Sequence, residues 1–438
     1  MTRITMNNDA EVRLWGTTIG AVTWDETREI GIFQYDPDFL QSKIQLSPLM
    51  MPLQEFPYEF PALSKNTFKG LPGLLADSLP DKFGNKLIDS WLATEGRTPS
   101  SFHPVERLCY IGTRGMGALE FLPSFNVDSN NKGNIEINKL VTLANKVLDE
   151  RAGLSGFLSG KDDRQAIEDI LRVGTSAGGA RAKAIIAWNH KTNKFLSGQL
   201  NLENGFEHWL IKFDGILNNR DKELADPQGY GKIEYAYHLM ANAVGIKMSE
   251  CRLHNEGGRS HFMTKRFDRT NLGEKIHMQS LGAIAHYDYN LSASYSYEQA
   301  ITVIKRLDLS VEDLKQQLLR AMFNVVFRNQ DDHVKNIAFL MTKDGAWHLS
   351  PAFDLSYSWD PDGQWTNKHQ MSINNKRDYF TREDLISLCE TSGIKSKQAN
   401  EMLDKVLEVA KQWPEFAEAA NLTETRTQKI QKAFRLYL

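Results

Sequence analysis

An α/β N-terminal part followed by a mainly α C-terminal part is the fold class this sequence predicts. Three observations carry it. Short apolar runs bounded by turn residues recur as far as residue 266. From about Arg269 the apolar residues instead fall at helical spacing. Between two α/β blocks, Asn126-Val-Asp-Ser-Asn-Asn-Lys-Gly-Asn134 is polar, turn-forming and unpatterned, and reads as a subdomain linker.

The elements follow in order. Residues 12–15 and 31–35 read as strands separated by turns such as Asp36-Pro37-Asp38, and a helix-rich piece lies around 74–92. A helix near 137–149 precedes three strands, 182–188, 209–213 and 261–266. Between the last two, Ile233, Tyr237, Met240, Ala241 and Val244 keep helical spacing, and Gly245 reads as the C-cap. Ser310 with Asp313 reads as a capping box for a helix with the stripe Leu314, Leu318, Ala321, Met322 and Val325, ending shortly before Asp331. Residues 382–438 read as helices. In the last of them, Ile430, Ala433, Phe434 and Tyr437 oppose Lys429, Lys432 and Arg435, a pattern that suits packing onto a core ahead of the alternative, a basic face for a partner or DNA. The resulting division is 1–125, 126–267 and 268–438.

Composition bounds the function. A chain of 438 residues can hold two or three cored domains. A net charge of −3 argues against a mainly electrostatic nucleic-acid binder. Cys109, Cys251 and Cys389 are too few and scattered for a disulfide framework or a zinc site, which points to a reducing compartment. No signal-peptide core opens the chain, and no run approaches the roughly 18 apolar residues of a membrane span. A cytoplasmic location without membrane contact is expected.

The chemistry-bearing residues come in a telling order. In Asn329-Gln-Asp-Asp-His-Val-Lys-Asn336, Asp331 precedes Asn336 by the spacing of a phosphotransfer loop, in which the acid orients a hydroxyl and the amide holds Mg²⁺. An ordinary capped turn shares that pattern. Asp332 competes for the role of base, and the spacing favours Asp331. His333 and Lys335 can contact phosphate or brace the turn. Asp354 follows Asn336 across a hairpin over Asp344-Gly345, which would return it beside Asn336 as a second hard oxygen ligand; the alternative is a helix N-cap. Gly174-Thr-Ser-Ala-Gly-Gly-Ala180 suits backbone contact with phosphate at Ser176, Ala177, Gly178 and Gly179, or is a flexible hairpin entry. Lys212, in Trp209-Leu-Ile-Lys-Phe213, is either a lysine on a solvated strand face or the cation that clamps phosphates with Glu234 as partner.

Together these residues resemble the HipA family, serine/threonine kinase toxins of bacterial toxin–antitoxin systems. Phe68-Lys-Gly-Leu-Pro-Gly-Leu-Leu-Ala-Asp-Ser-Leu-Pro-Asp-Lys-Phe-Gly84 is similar to its N-terminal signature, and Ile111-Gly112 through Gly115-Met-Gly-Ala-Leu119 to its next block. Ser176-Ala-Gly-Gly-Ala-Arg-Ala-Lys183 resembles its phosphate loop, whose serine is an autophosphorylation site. Lys212 falls on its ATP lysine, Lys265-Arg-Phe267 on the hinge whose backbone meets adenine, and Asp331, Asn336 and Asp354 on the base and two magnesium ligands. Three departures stand out. Asp332 occupies the usual glycine of the loop and adds negative charge. Lys265 stands where an acid can occur. Arg181 and Ala182 replace a glutamine–glutamate pair before Lys183, leaving that lysine's role open.

The resemblance implies a two-lobed, protein-kinase-like fold with ATP in the cleft. It implies Mg²⁺- and ATP-dependent phosphorylation of a protein, such as an aminoacyl-tRNA synthetase, with autophosphorylation on Ser176. It also implies a HipB-like helix-turn-helix antitoxin that supplies most of the DNA contact. Two rivals remain at this point: a catalytically silent corepressor acting with its antitoxin, and a small-molecule kinase.

Overall fold

The computed structural model describes residues 8–125, 135–148, 181–198, 205–216 and 229–438. β1 (Asp9–Leu14), β2 (Thr17–Asp25), β3 (Ile30–Tyr35) and β4 (Leu119–Leu122) form an antiparallel sheet in the order β3-β2-β1-β4. Ala10, Val12 and Leu14 point inward from β1 at the strand period of two. The sequence reading passed over β2. Its pairing with β1 slips between Val12 and Arg13, so the buried Ile19 and Val22 change parity and alternation is broken.

The helix-rich piece consists of two helices, Gly73–Ala76 and Lys82–Thr94. Pro80 has no N–H and biases Leu79 away from helix, so the chain restarts at Asp81, whose carboxylate accepts the Gly84 N–H at 2.6 Å. Lys82–Thr94 shares a core with Ile137–Leu148 and the second sheet, through Phe83, Leu87, Leu140, Val141, Ala184 and Trp209. That sheet runs β6-β5-β7-β9-β8, with β5 (Lys183–Asn189), β6 (Lys194–Ser197), β7 (Glu207–Lys212), β8 (Cys251–Glu256) and β9 (Arg259–Lys265), all neighbours antiparallel. The helix Tyr230–Val244 presses onto β9 at Gly231, where a Cβ would lie 2.3 Å from the Ser260 carbonyl oxygen. Gly245 ends that helix in the left-handed region. The expected linker 126–134 lies outside the described residues.

Beyond Arg269, helices dominate around small sheets. β10 (His277–Ser280), β12 (Ala338–Met341) and β13 (Trp347–Leu349) form one, and β11 (Tyr295–Ser296) pairs with β14 (Met371–Ser372). The helices Tyr297–Arg306, Val311–Val326, Arg382–Thr391, Ser396–Lys411, Trp413–Ala419 and Glu424–Ala433 enclose a core containing Leu318, Met322, Phe323, Leu403 and Trp413. Val311–Val326 is central. Besides the five stripe residues it buries Leu319, Phe323 and Val326. Ser310 caps it by accepting the Asp313 N–H at 3.1 Å, but the Asp313 carboxylate takes the Ser310 hydroxyl, so only the serine half of the box forms. The last helix stops at Ala433. Tyr437 is exposed, and Arg435 turns inward instead of lying on a basic face.

Overall the chain is a mixed α/β protein with four sheets and 14 α-helices among the described residues. No described helix is long and apolar enough to cross a membrane. The N-terminal part is fastened to the segment after β9. The Gly117 N–H reaches the Asp268 carboxylate at 2.7 Å, the Ser280 N–H reaches that of Asp77 at 2.7 Å, and the Gly73 N–H reaches His286 Nε2 at 3.0 Å.

Candidate phosphoryl-transfer site

Two lysines face one another across the second sheet, because the β5–β7 register pairs Lys183 with Lys212. Both are buried. The Lys212 ammonium bonds the carboxylates of Glu234, one turn into the helix Tyr230–Val244, and of Asp354. Burial alone would lower the Lys212 pKa, but Asp354 and Glu234 outweigh it and keep the ammonium charged. Burial would likewise raise the Asp354 carboxyl, and Lys212 holds it well below the usual carboxylate range. Glu234 is 2% exposed, so it is no solvated surface acid. Arg181 backs it at 3.5 Å while its guanidinium lies 3.9 Å over the Tyr230 ring. Lys183 has a separate acid: Asp81, from the N-terminal signature, stands 3.5 Å from its ammonium. Burial raises the Asp81 carboxyl to about 6, against the pull of Lys183.

The acid loop starts where the helix Val311–Val326 ends. Arg328 adopts a left-handed backbone, the chain runs extended, and a single 3₁₀ turn closes at Asn336. The Asn336 Nδ2 donates to the Asp331 carbonyl at 2.9 Å, so the side chain at one end of the loop is tied to the backbone at the other. Asp332 is interior. It is 3% exposed and accepts from the Tyr297 hydroxyl (2.7 Å), His369 Nδ1 (2.7 Å) and the Gln370 N–H (2.8 Å). Its extra charge is therefore absorbed by the fold. Asp331 keeps a quarter of its side chain open and accepts from the Trp365 indole at 2.6 Å. His333 Nε2 stands 3.9 Å from Asp331, and Lys335 lies 5.0 Å over the Tyr289 ring, which also neighbours His333.

The hairpin of β12 and β13 pairs Phe339 with Leu349 and returns the chain to Asp354, itself left-handed. The Asn329 amide reaches the Asp354 carbonyl at 3.5 Å. Asn329, His333, Asn336, Phe353 and Asp354 line one cavity. Phe267, after β9, sets its ring 5.6 Å from that of Phe353, tilted by 36°. The Lys265 ammonium bonds Glu207 at 2.6 Å, and its N–H bonds the Glu250 carbonyl at 2.8 Å. Ser176, Ala177, Gly178 and Gly179 lie outside the described residues.

The sequence reading named none of Asp81, Tyr297, Trp365 or His369 as a site residue. Asp81 carried the signal of an N-cap after a proline. Trp365 and His369 sit in an irregular segment where no period marks them.

The family model described as the HipA-like C-terminal domain matches residues 175–413, and that of the HipA N-terminal domain matches residues 10–122. Among solved structures, HipA of Shewanella oneidensis MR-1, from a toxin–antitoxin complex with HipB and operator DNA, is 18% identical. It covers 97% of this chain and 95% of its own, with a TM-score of 0.66. The Helicobacter pylori proinflammatory kinase CtkA is 13% identical over 59% of this chain and 90% of its own, with a TM-score of 0.36, too loose a likeness to bear on function. No curated protein sequence matches the chain. With more than half of its length matched by one family domain and most of its N-terminal quarter by the other, the chain belongs to the HipA family.

Proposed function

We propose that this chain is a Mg²⁺- and ATP-dependent serine/threonine protein kinase, the toxin of a HipA–HipB-type toxin–antitoxin pair. The observation that carries the reading is the convergence of Lys212, Glu234 and Asp354 beside the loop closed by Asp331 and Asn336. Lys212, fixed by two carboxylates, supplies the cation that holds phosphate oxygens. Asp331 accepts the proton of the acceptor hydroxyl. As the acceptor oxygen bonds the γ-phosphorus, the bond to the bridging oxygen breaks and ADP leaves with that electron pair.

Mg²⁺ fits the donor set. Asn336 and Asp354 bring an amide and a carboxylate to one cavity, hard ligands of the kind that cation takes. Among the described residues no cluster of three or more His, Cys, Asp or Glu could hold a metal by itself, so phosphate and water would complete the shell. When bound, the ion offsets charge on the transferring phosphate oxygens.

Asp332 and the open role of Lys183 are the two grounds for a silent pseudokinase; the burial of Asp332 among three donors supports the active reading, because its charge is held by the fold. Partnership with a HipB-like antitoxin, through which DNA is reached, is supported by the composition of the Shewanella complex. An aminoacyl-tRNA synthetase is the acceptor class that the family resemblance implies, and Ser176 the self-modified residue. Intact-mass and phosphopeptide analysis after incubation with Mg²⁺ and ATP tests the reading. Phosphate on the wild type, with Asp331→Asn slower by roughly 10²–10⁴-fold, is expected for loss of a general base. A wild type that neither takes up phosphate nor transfers it to a protein would overturn it, and transfer to sugars alone would favour a small-molecule kinase.

A further inference from the structure

One short segment, Trp365 to Gln370, holds both acids of the loop. Asp332 is bonded by His369 Nδ1 at 2.7 Å and by the Gln370 N–H at 2.8 Å. Asp331 is bonded by the Trp365 indole at 2.6 Å. The segment is itself tied down from the loop side, where the Gln330 amide donates to the Thr366 carbonyl at 3.1 Å. The Gln370 amide also bonds the Trp365 carbonyl. His369 and Gln370 are buried, whereas Trp365 is only half-buried. The indole is therefore anchored from the interior and presented beside a partly open carboxylate.

We propose that Trp365 is a positioning residue for acceptor phosphorylation, a role that rests on the kinase reading above. An indole N–H donates and cannot accept, and it carries no charge to surrender. Bonded to Oδ1, it fixes the rotation of the Asp331 carboxylate without competing for the proton that the acceptor hydroxyl must release. A lysine at this place would neutralise the base as well as orient it. The ring also sets an apolar wall against Asp331, which disfavours water as the alternative acceptor and favours a hydroxyl borne on a larger chain. The substrate side chain would thus approach between Trp365 and the phosphate-holding group of Lys212 and Asp354.

The test compares wild type, Trp365→Phe and Trp365→Ala in the presence of Mg²⁺ and ATP. Phosphate is read on the chain itself and on myelin basic protein as a surrogate acceptor, with ADP release measured in parallel. Trp365→Phe keeps the wall and loses the donor. Its maximal transfer rate should fall on the order of ten- to hundredfold, the scale of a hydrogen bond to a charged group. The half-saturating ATP concentration should stay at the wild-type value, because the indole is bonded to Asp331 and not to the phosphate-holding Lys212. Trp365→Ala should fall further in transfer and show more ADP released per phosphate transferred. A Trp365→Phe rate within twofold of wild type overturns the proposal. So does a loss that appears as weaker ATP affinity at an unchanged maximal rate, which marks a structural role. A rate increase overturns it too, identifying the indole as a block on the base. A wild type silent on both acceptors defeats the kinase reading itself, and the inference falls with it.

Discussion

Two of the buried ion clusters among the described residues, around Asp268 and around Lys212, are built differently. Around Asp268 the charges are closed. The carboxylate is wholly buried and accepts from Arg266 at 2.6 and 2.8 Å, from Arg269 at 2.9 Å and from the Gly117 backbone at 2.7 Å. Arg269 continues to the Gly115 and Gly117 carbonyls. Burial would raise the Asp268 carboxyl, but Arg266 and Arg269 hold it well below the usual range. Around Lys212 the bonds described run side chain to side chain, and Asp354 leaves a third of its side chain open to the cavity. Ions locked by backbone donors fasten the N-terminal part to the strand exit. Ions that only hold each other, with one acid open, can exchange partners for a ligand. Burial of charge alone separates nothing; what the charges are bonded to does.

That contrast can be broken by experiment. Lys212→Met should cut phosphoryl transfer by roughly 10²–10³-fold while the fold persists, since a preorganised charge at the phosphates is removed. Transfer within tenfold of wild type would show that Lys212 serves structure only. Asp268→Asn should do the reverse. It should cost about 3–5 kcal/mol in urea unfolding, because two arginines lose their counter-charge in the interior. A cost under about 1 kcal/mol would erase the distinction between the clusters.

Asp332→Asn sharpens the same point inside the loop. Losing a charged acceptor with three donors should cost about 1.5–3 kcal/mol, with transfer rates following stability. Selective loss of transfer at unchanged stability would return Asp332 to the chemistry.

A further effect is expected on pH. Burial pushes His277 down to about 3 and His261 down to about 4, from an ordinary 6.5. Both are therefore neutral in the folded chain where an unfolded chain would protonate them. Their contribution is complete above about 6.5 and is lost as pH falls toward the folded values. Denaturant midpoints should decline from pH 7 to 5, and His277→Gln should flatten that decline. An unchanged slope would count against this assignment.

How much of this was legible beforehand follows from the range of the forces involved. Helix and strand periods, the Gly245 cap, the hairpin over Asp344-Gly345 and the five-residue step from Asp331 to Asn336 are local. Each depends on a few neighbouring residues, so the sequence alone determined them. Where local rules conflicted, it misled. The slip between β1 and β2 breaks the alternation of the second strand and hid it from the sequence reading. Spacing favoured Asp331 over Asp332, but the surroundings of the two acids are set 34 to 38 positions downstream, by Trp365 for one and by His369 with Gln370 for the other.

Only tertiary structure could decide the rest. Lys212 meets Asp354 across 142 positions, Asp268 meets Gly117 across 151, and Arg435 reaches Gln330 across 105. No period or motif encodes such pairings, because they arise when separate elements bury their apolar faces together. The family's motifs were written in the chain as candidates. Packing decided which charges close upon the backbone and which stay open to a cavity, since desolvation and partner geometry exist only once distant segments meet.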